Sequence, residues 1–325
     1  MSSGLVIVVT GSEDPMWPFL LQACSEEEKG KLLLLATDLP DQSGLHYGFC
    51  SDSFREGLRL RISNRIVSSE EVIGVWWRRE ILPELTHFNP ELRNYCHGEY
   101  RAFLEDLEHM LPLSRWVSLP SALRRAKSKV LQLSLASELG FRILPTLFTN
   151  DPGFALDFVQ TGKSVYKSIE SPRVPLYPDK HSTVFTTLFL EEHYPLLEGV
   201  RSCPGIFQRL CMKAADIRVT VFHNSVFSVR IESQLAESSK IDFRIGAKHL
   251  KHTVHDLPEN MSRMCLDLTH RLGLEFGAID LALMEDGSYI FFEINPNGQW
   301  GWLEDQTGLA MRRSLLDYLF AYYKG

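Results

Sequence analysis

The sequence predicts an α/β arrangement in the first third of the chain and an α+β arrangement in the rest. Two observations support this fold class. Short apolar segments alternate with helix-like segments near the N terminus, which is typical of buried parallel strands covered by helices. Beyond residue 164 the pattern is mostly strands, and one pair of strands surrounds an Asp-Gly turn.

The composition is that of a globular protein and argues against several classes. Of 325 residues, 44% are hydrophobic and 23% charged, and the net charge is -7. No block of Lys or Arg stands out, so we expect no nucleic-acid partner. No apolar segment is long enough to span a bilayer, so we expect no membrane partner. Six scattered cysteines without zinc-ligand spacing indicate reduced thiols in a cytoplasmic protein.

In the first third, apolar runs predict three strands and two helices. The strands are Leu5–Thr10, residues 31–36 and Val72–Trp77. A helix begins within residues 18–23, and residues 99–111 carry apolar side chains at helical spacing. This order predicts a small α/β domain.

The middle of the chain begins with a helix in KSKVLQLSLASELGF, which Gly140 ends. A short strand follows at residues 143–149. The Pro-rich segment SPRVPLYPDKH is predicted to be a loop, and residues 184–197 a helix. Four more strands are predicted at residues 165–169, 206–211, 217–222 and 226–231.

The segment GAIDLALMEDGSYIFFEIN predicts a hairpin with a two-residue turn at Asp286-Gly287. If Glu285 pairs with Ser288, Asp280 lies opposite Glu293. Alternation then places six apolar residues on one buried face: Ile279, Leu281, Leu283, Ile290, Phe292 and Ile294.

The other face of this hairpin carries Asp280, Glu293 and Asn295. Carboxylates opposed at about 5 Å repel each other, and a cation bound between them turns this repulsion into a net attraction. Two carboxylates and an amide oxygen suit Mg²⁺. The hairpin therefore predicts a metal site, with two alternatives left open: a solvated acidic face, or a register slipped by one residue.

Beyond this hairpin, the chain resembles the ATP-grasp ligases, and closely the microviridin-type enzymes that make graspetides, peptides with ω-ester links. FFEINPNGQWGWLEDQTGL resembles their C-terminal signature, and its Glu-x-Asn resembles their metal motif. Other similar segments follow the family's order: LLLLATDLP, VWWRRE, KSKVLQLSLASELGFRILPTLFTNDP, PGIFQRLCMKAADIRVTVF and LGLEFGAIDLAL. The resemblance implies a pre-ATP-grasp domain at 1–118, a central domain at 119–205 and a C-terminal domain at 206–325 that carries the metal site.

The resemblance also implies an activity that uses ATP and Mg²⁺. Asp or Glu side chains of a ribosomally made precursor peptide would be activated as acyl phosphates. A Thr or Ser hydroxyl would then close a macrolactone, or a Lys amine a macrolactam. Two alternatives stay open: a ligase that adds an amino acid or small amine to a peptide, and a non-catalytic peptide- or nucleotide-binding protein. The family further implies a homodimer, and a precursor leader held near residues 184–197 and 217–231.

The resemblance matches individual residues to the ATP site. Asp280, Glu293 and Asn295 match the magnesium ligands. Lys129 matches a lysine that meets an ATP phosphate, although Lys127 competes for that role. Lys167 is a candidate for phosphate binding and for catalysis, because a lysine on an apolar side of a strand is uncommon without an anion.

Gln208, Arg209 and Leu210 match the hinge whose backbone would contact adenine. An ordinary core strand explains them as well. Asp242 and Arg244 resemble a further family element, or form a surface ion pair.

Arg218 matches the arginine that faces phosphate and acyl phosphate in related ligases, and Arg230 is a weaker catalytic candidate. A turn at Asn224-Ser225 would place the two arginines on opposite faces of a hairpin, so both cannot share one site. We therefore favour Arg218.

Residues 76–79, Trp-Trp-Arg-Arg, resemble the family's aromatic-Arg-Arg segment, but Glu80 stands where the family has Pro. The alternative is a structural role, with the arginines paired to Glu99 or Glu105.

Overall fold

The computed structural model describes residues 4–39, 46–48, 59–62, 65–111, 114–170, 173–176, 180–246 and 249–321. Its N-terminal strands are β1 (Leu5–Thr10), β2 (Leu32–Ala36), β3 (His46–Gly48), β4 (Arg59–Ile62), β5 (Arg65–Ser68), β6 (Val72–Trp77) and β7 (Arg115–Val117). The helices there are α1 (Met16–Leu21), α2 (Glu26–Lys31), α3 (Pro90–Glu105), α4 (Leu107–Met110) and α5 (Pro120–Ala126). Strands β2, β1, β6 and β7 form a parallel sheet in that order, as the buried apolar runs predict.

The central elements are α6 (Lys129–Glu138), β8 (Arg142–Ile143), β9 (Thr146–Thr149), α7 (Pro152–Gln160), β10 (Ser164–Lys167), β11 (Arg173–Leu176), β12 (Lys180–Thr183), β13 (Thr187–Phe189) and β14 (Gly205–Arg209). An antiparallel sheet has the order β13-β10-β14-β9. Strand β14 thus belongs to the central sheet, although the predicted boundary of 205/206 falls at its first residue.

Two predictions for the central region are wrong. The segment expected to be a Pro-rich loop contains the paired strands β11 and β12, although residues 171–172 and 177–179 lie outside the described part. The helix expected at 184–197 is instead strand β13 followed by a 3₁₀ helix, Glu191–Arg201. β-branched residues favour the extended start, and Pro195 cannot donate the backbone hydrogen bond that a continuing α-helix needs.

The C-terminal elements are β15 (Ala215–Phe222), β16 (Ser225–Ile231), β17 (His252–Val254), α8 (Glu259–Arg271), β18 (Phe276–Leu283), β19 (Tyr289–Asn295), α9 (Gly301–Thr307) and α10 (Met311–Phe320). They form the sheet β17-β16-β15-β18-β19-β8. Short 3₁₀ helices at Ser233–Leu235 and Glu237–Ser239 follow β16. In the described part of the chain, no helix is long and apolar enough to span a membrane.

The N-terminal and C-terminal sheets share one core. Trp300, which is 1% exposed, lies 5.1 Å from the ring of Phe222 and 6.4 Å from that of Trp76. Helix α10 packs on β6 at Gly74, where an added Cβ would lie 2.6 Å from the carbonyl oxygen of Leu319. The parallel sheet is therefore fixed against the elements that carry the predicted metal site.

Candidate functional site

The hairpin β18–β19 places Asp280 opposite Glu293, as predicted, but its turn is one residue longer than predicted. The backbone N–H of Met284 donates to the carbonyl oxygen of Ser288 at 2.9 Å, so three residues form the loop. Gly287 has φ 79°, a left-handed conformation typical of such loops. This longer turn alone would shift the register by one residue.

A bulge at Phe292 shifts the register back. Leu281 pairs with Phe291, and the next pair is the two acids, so Phe292 has no partner on β18. Phe292 was predicted on the buried apolar face, which is wrong: its ring lines the polar cleft, 4.9 Å from Nζ of Lys167. The bulge therefore places two consecutive side chains, Phe292 and Glu293, on the side of the candidate site.

The two opposed acids have different cationic partners. Lys129, in the first turn of α6, contacts Glu293, and Nε of Arg218 lies 3.2 Å from Oδ1 of Asp280. Burial raises the pKa of Glu293, but attraction to Lys129 outweighs it and lowers that pKa to about 2. Burial raises the pKa of Asp280 to about 6, because Arg218 compensates only in part and Glu293 repels. The buried carboxylate of Asp280 is thus only partly compensated by Arg218.

Asn295 ends β19 opposite Ala278 and is exposed. Its side-chain oxygen accepts a hydrogen bond from the backbone N–H of Asn297 at 3.0 Å, which leaves one lone pair for a ligand. The turn comes close to β18 at Gly298, where an added Cβ would lie 2.5 Å from Cβ of Ala278. Asp280, Glu293 and Asn295 therefore border one cleft, as predicted.

Gln132 of α6 was missed from the sequence and holds β19 in place. It is 1% exposed, and its side chain donates to the carbonyl of Ile294 at 2.8 Å and accepts from the N–H of Ile294 at 3.2 Å. It also donates to the carbonyl of Ala126 at 2.6 Å. Because Lys129 lies one turn earlier on the same helix, Gln132 fixes the distance between Lys129 and Glu293. The sequence feature that could have identified Gln132 is a glutamine within an otherwise apolar helix.

Lys167 ends β10 and lies in the same cleft. Its Nζ donates to Oε1 of Gln208 at 2.7 Å, and Gln208 donates in turn to Thr146 at 2.9 Å. Burial lowers the pKa of Lys167, which attraction to Glu293 opposes. The predicted competitor Lys127 ends α5 and does not line the cleft, whereas Lys129 does.

The predicted hinge, Gln208 to Leu210, lines the cleft, but its groups are partly engaged. The guanidinium of Arg209 donates to the carbonyls of Phe158 and Gly162, both at 2.9 Å, at the end of α7. The N–H groups of Arg209 and Leu210 donate to backbone carbonyls at 3.1 and 2.9 Å. The side chain of Arg209 therefore holds the end of α7.

The structure separates the two catalytic arginine candidates. The β15–β16 turn lies at His223-Asn224, one residue earlier than predicted, and Arg218 and Arg230 lie on opposite faces. Arg230 pairs with Glu232 at 2.7 Å and is not among the residues that line the cleft. Arg218 is 8% exposed, contacts Asp280 and does not itself line the cleft. Among the described residues, its Nε and Nη1 have no hydrogen-bond acceptor.

Lys213 and Asp216 were also missed. They form an ion pair at 2.8 Å, with side chains 4% and 5% exposed, and both line the cleft. Asp216 lies on the same face of β15 as Arg218, opposite Ala282. The alternation that placed Arg218 in the site applies equally to the residue two positions earlier, so the signal for Asp216 was present.

The segment from Asp242 to Arg244 joins the C-terminal and central parts across the cleft. Asp242 accepts a hydrogen bond from the N–H of Thr186 at 3.0 Å and a second from Nε of Arg244 at 2.8 Å. The ring of Phe243 lies 5.6 Å from the guanidinium carbon of Arg218. This segment therefore covers Arg218 from the cleft side.

Arg78 links the N-terminal sheet to the loop after Asn295. It is 2% exposed, and its Nη1 donates to the carbonyl oxygen of Asn297 at 3.2 Å. Burial and the neighbouring Arg79 lower the pKa of Arg78 to about 10. The segment at residues 76–79 therefore borders the turn that ends the candidate metal site.

The acidic partner predicted for these arginines is wrong. Nε of Arg78 and Nε of Arg79 lie 3.7 and 3.5 Å from the same oxygen of Asp14, rather than near Glu99 or Glu105. Asp14 lies in the loop after β1, next to the end of β6 in the parallel sheet. The pairing follows from sheet order, which the spacing of acids along the sequence does not give.

Comparison with known proteins identifies the fold. No protein-family model and no curated protein sequence matches the chain. The solved macrocyclase MdnC from Microcystis aeruginosa MRC, bound with precursor peptide MdnA, has a TM-score of 0.84 and 28% identity over 97% of this chain and 98% of that chain. Macrocyclase MdnB from the same organism has a TM-score of 0.76 and 29% identity, over 98% of this chain and 100% of that chain. A Chryseobacterium gregarium RiPP-associated ATP-grasp ligase, in complex with ADP and a leader and core peptide, has a TM-score of 0.83 and 24% identity, over 97% of this chain and 96% of that chain. This similarity is one of fold. The predicted ATP-grasp fold is confirmed.

Proposed function

We propose that the chain is an ATP-grasp ligase of the graspetide type and that it closes rings in a ribosomally made precursor peptide. An Asp or Glu side chain of the peptide takes the γ-phosphoryl group of ATP, and a Thr or Ser hydroxyl or a Lys amine then displaces phosphate. Each ring yields ADP and phosphate, and the peptide loses one water. The observation that carries this proposal is the opposed pair Asp280 and Glu293, in one cleft with Lys129 and Lys167.

The cleft fits the magnesium and ATP that this fold implies. Asp280, Glu293 and Asn295 offer three oxygen ligands, and a cation beside Asp280 would offset the burial and the repulsion from Glu293 that raise its pKa. Bound Mg²⁺ supplies charge neutralisation between phosphate oxygens. We propose that these three residues hold it.

The lysines and the hinge would hold the nucleotide. Lys129 and Lys167 present buried or half-buried ammonium groups to the cleft, which suits phosphate oxygens. We propose that the backbone of Gln208 to Leu210 contacts adenine, with the carbonyl groups contributing more than the N–H groups of Arg209 and Leu210, which are paired within the protein.

Arg218 is the proposed contact of the peptide carboxylate under activation. A guanidinium with buried, unpaired N–H groups is costly, and a carboxylate or phosphate provides two acceptors in matching geometry. Phe243 covers Arg218, so the segment from Asp242 to Arg244 would have to move for this contact to form.

The leader of the peptide is proposed to bind beside the 3₁₀ helix Glu191–Arg201. An apolar groove there is lined by Tyr166, Phe189, Leu197 and Val200, with Leu196 exposed beside it. Phe189 also packs on the core of the central sheet, so it serves packing as well as the groove.

A homodimer and a cytoplasmic location are further proposals, which rest on the family resemblance and on the cysteines. The cysteines that the structure describes are free: Cys24, Cys96, Cys203, Cys211 and Cys265. Light scattering of the purified chain tests the dimer.

Mass spectrometry tests the proposed reaction. A short peptide rich in Thr, Ser, Asp and Glu, encoded beside this gene, is incubated with the enzyme, ATP and Mg²⁺. Cyclisation removes one water per ring, whereas ligation of an amino acid or amine adds mass. No change in the peptide and no ADP would contradict both enzymatic functions.

A further inference from the structure

A second group of metal-binding side chains lies at the other end of β15 from Arg218. His223 is in the β15–β16 turn, His270 in the last turn of α8, and Glu275 directly before β18. One ligand atom from each lies within 4.8 Å of the others. Three different elements therefore bring two imidazoles and a carboxylate together outside the nucleotide cleft.

The backbone and a neighbouring ring fix the orientation of His223. Its N–H donates to the carbonyl oxygen of Glu275 at 2.7 Å, so the two residues are held side by side. Its φ of 49° is a conformation that few residues other than glycine adopt. The ring of Tyr318 stacks on the imidazole at 4.5 Å. His223 is thus held in place before any ligand binds.

Both imidazoles have hydrogen-bonding partners within the protein, which fix the orientation of the rings. Nε2 of His270 lies 3.2 Å from the carbonyl oxygen of His223, and Nε2 of His223 lies 3.0 Å from the side-chain amide of Asn224. A metal-bound histidine typically donates its second ring N–H to such an oxygen, and the amide of Asn224 can present either atom. Nδ1 of His223 lies 2.7 Å from Glu275, and Nδ1 of His270 has no hydrogen bond to any residue in the described ranges.

We propose that His223, His270 and Glu275 bind Zn²⁺, with water in the fourth position. Two imidazoles and one carboxylate are a ligand set that zinc takes in proteins, and the half-exposed site gives the ion an entry path. Without an ion, His223 pairs with Glu275, and Nε2 of His270 lies within hydrogen-bonding distance of the carbonyl oxygen of His223. The ion joins the β15–β16 turn to the end of α8, so zinc stabilises the folded chain without entering the cleft. This inference is independent of the proposed function.

Cobalt and zinc titrations of the full chain test the site. The protein is stripped with a chelator and titrated with Co²⁺, which reports its ligands by visible absorption. The Glu293→Gln variant is titrated in parallel, to show that the carboxylates of the cleft are not the cobalt ligands. We expect one ion per chain, visible bands without a thiolate charge-transfer band, displacement of cobalt by Zn²⁺, and a higher melting temperature with zinc.

Variants separate this site from adventitious binding. His223→Asn keeps a residue that tolerates positive φ, and His270→Gln and Glu275→Gln are close in size. Each should weaken zinc binding by about tenfold or more. His109→Gln is the matched control, because His109 is exposed beside Glu108. This substitution should leave the affinity for zinc unchanged.

Absence of chelator-competitive zinc binding would overturn the proposal, as would thiolate bands or equal affinity in all three variants. If a variant fails to fold by circular dichroism, the cobalt spectrum and stoichiometry of the unaltered chain decide.

Discussion

The two faces of β15 are buried alike and differ in chemistry. On one face, Ile217 and Val219 have no exposed surface and pack with Leu281 and helix α8. On the other face, Asp216 and Arg218 keep buried polar atoms without hydrogen-bond partners among the described residues. One face is complete without a ligand, whereas the other has unsatisfied groups that a ligand can satisfy. The strand is therefore stabilised from one face and is proposed to function from the other.

This difference predicts two kinds of variant. Changes on the polar face should remove activity while the chain still folds, because this face has buried polar atoms whose missing hydrogen-bond partners a ligand would supply. Changes on the apolar face should lower the free energy of unfolding, while the activity of the folded fraction should stay unchanged.

The largest effect is expected from Asp280→Asn. Loss of one carboxylate from the proposed magnesium site should lower the rate of ATP-dependent peptide modification by about a thousandfold, because metal charge stabilisation is worth several kcal/mol. The melting temperature should stay the same or rise. Peptide turnover and a thermal melt measure both, and full turnover by this variant would refute the metal assignment.

The second-largest effect is expected from Arg218→Ala. Removing a donor to developing charge lowers rates by about 100-fold to 1,000-fold. Binding of the peptide leader, measured by fluorescence anisotropy, should not change. Arg230→Ala is the matched control on the opposite face, and equal losses of turnover and leader binding in Arg218→Ala would indicate a structural arginine.

Ile217→Ala tests the apolar face. A fully buried aliphatic side chain cut to alanine should cost about 2–5 kcal/mol of unfolding free energy. Urea denaturation measures the loss. Turnover per folded molecule should match the unaltered chain, and a large fall in it would mean that the two faces are not separable.

Gln132→Met sharpens the comparison, because Gln132 supports the polar face from within the core. It leaves the backbone N–H and C=O of Ile294 without partners, which should cost about 2–3 kcal/mol. The KM for ATP should also rise, because Lys129 and Glu293 lose their common support. Lost stability with an unchanged KM would limit Gln132 to a packing role.

Arg230→Ala should have the smallest effect. Its ion pair with Glu232 is partly exposed, so the free energy of unfolding should change by less than about 1 kcal/mol. Turnover should be unaltered. A loss comparable to that of Arg218→Ala would restore Arg230 as a catalytic candidate.

Alternation and apolar runs predicted β1, β6 and the opposition of Asp280 to Glu293. The opposition came out right through two compensating features, a longer turn and the bulge at Phe292. Neither has a strong sequence signal, because Asp-Gly fits both turn lengths and a bulge needs only one extra residue in a strand.

Other parts of the site depend on contacts between distant segments. Gln132 meets Ile294 across 162 positions, and Arg78 meets Asn297 across 219. Spacing along one segment contains no information about such pairs. The helix predicted at 184–197 failed for a different reason: an apolar pattern outweighed Pro195, which should have ended it.

Isotope transfer tests most directly whether this cleft activates a peptide carboxylate with ATP. A precursor with ¹⁸O in its Asp and Glu side chains is cyclised, and the released phosphate is analysed by mass spectrometry. Phosphoryl transfer to the carboxylate predicts one ¹⁸O atom in phosphate for each ring closed, and no labelled phosphate with Asp280→Asn. Ring closure with unlabelled phosphate would contradict the account.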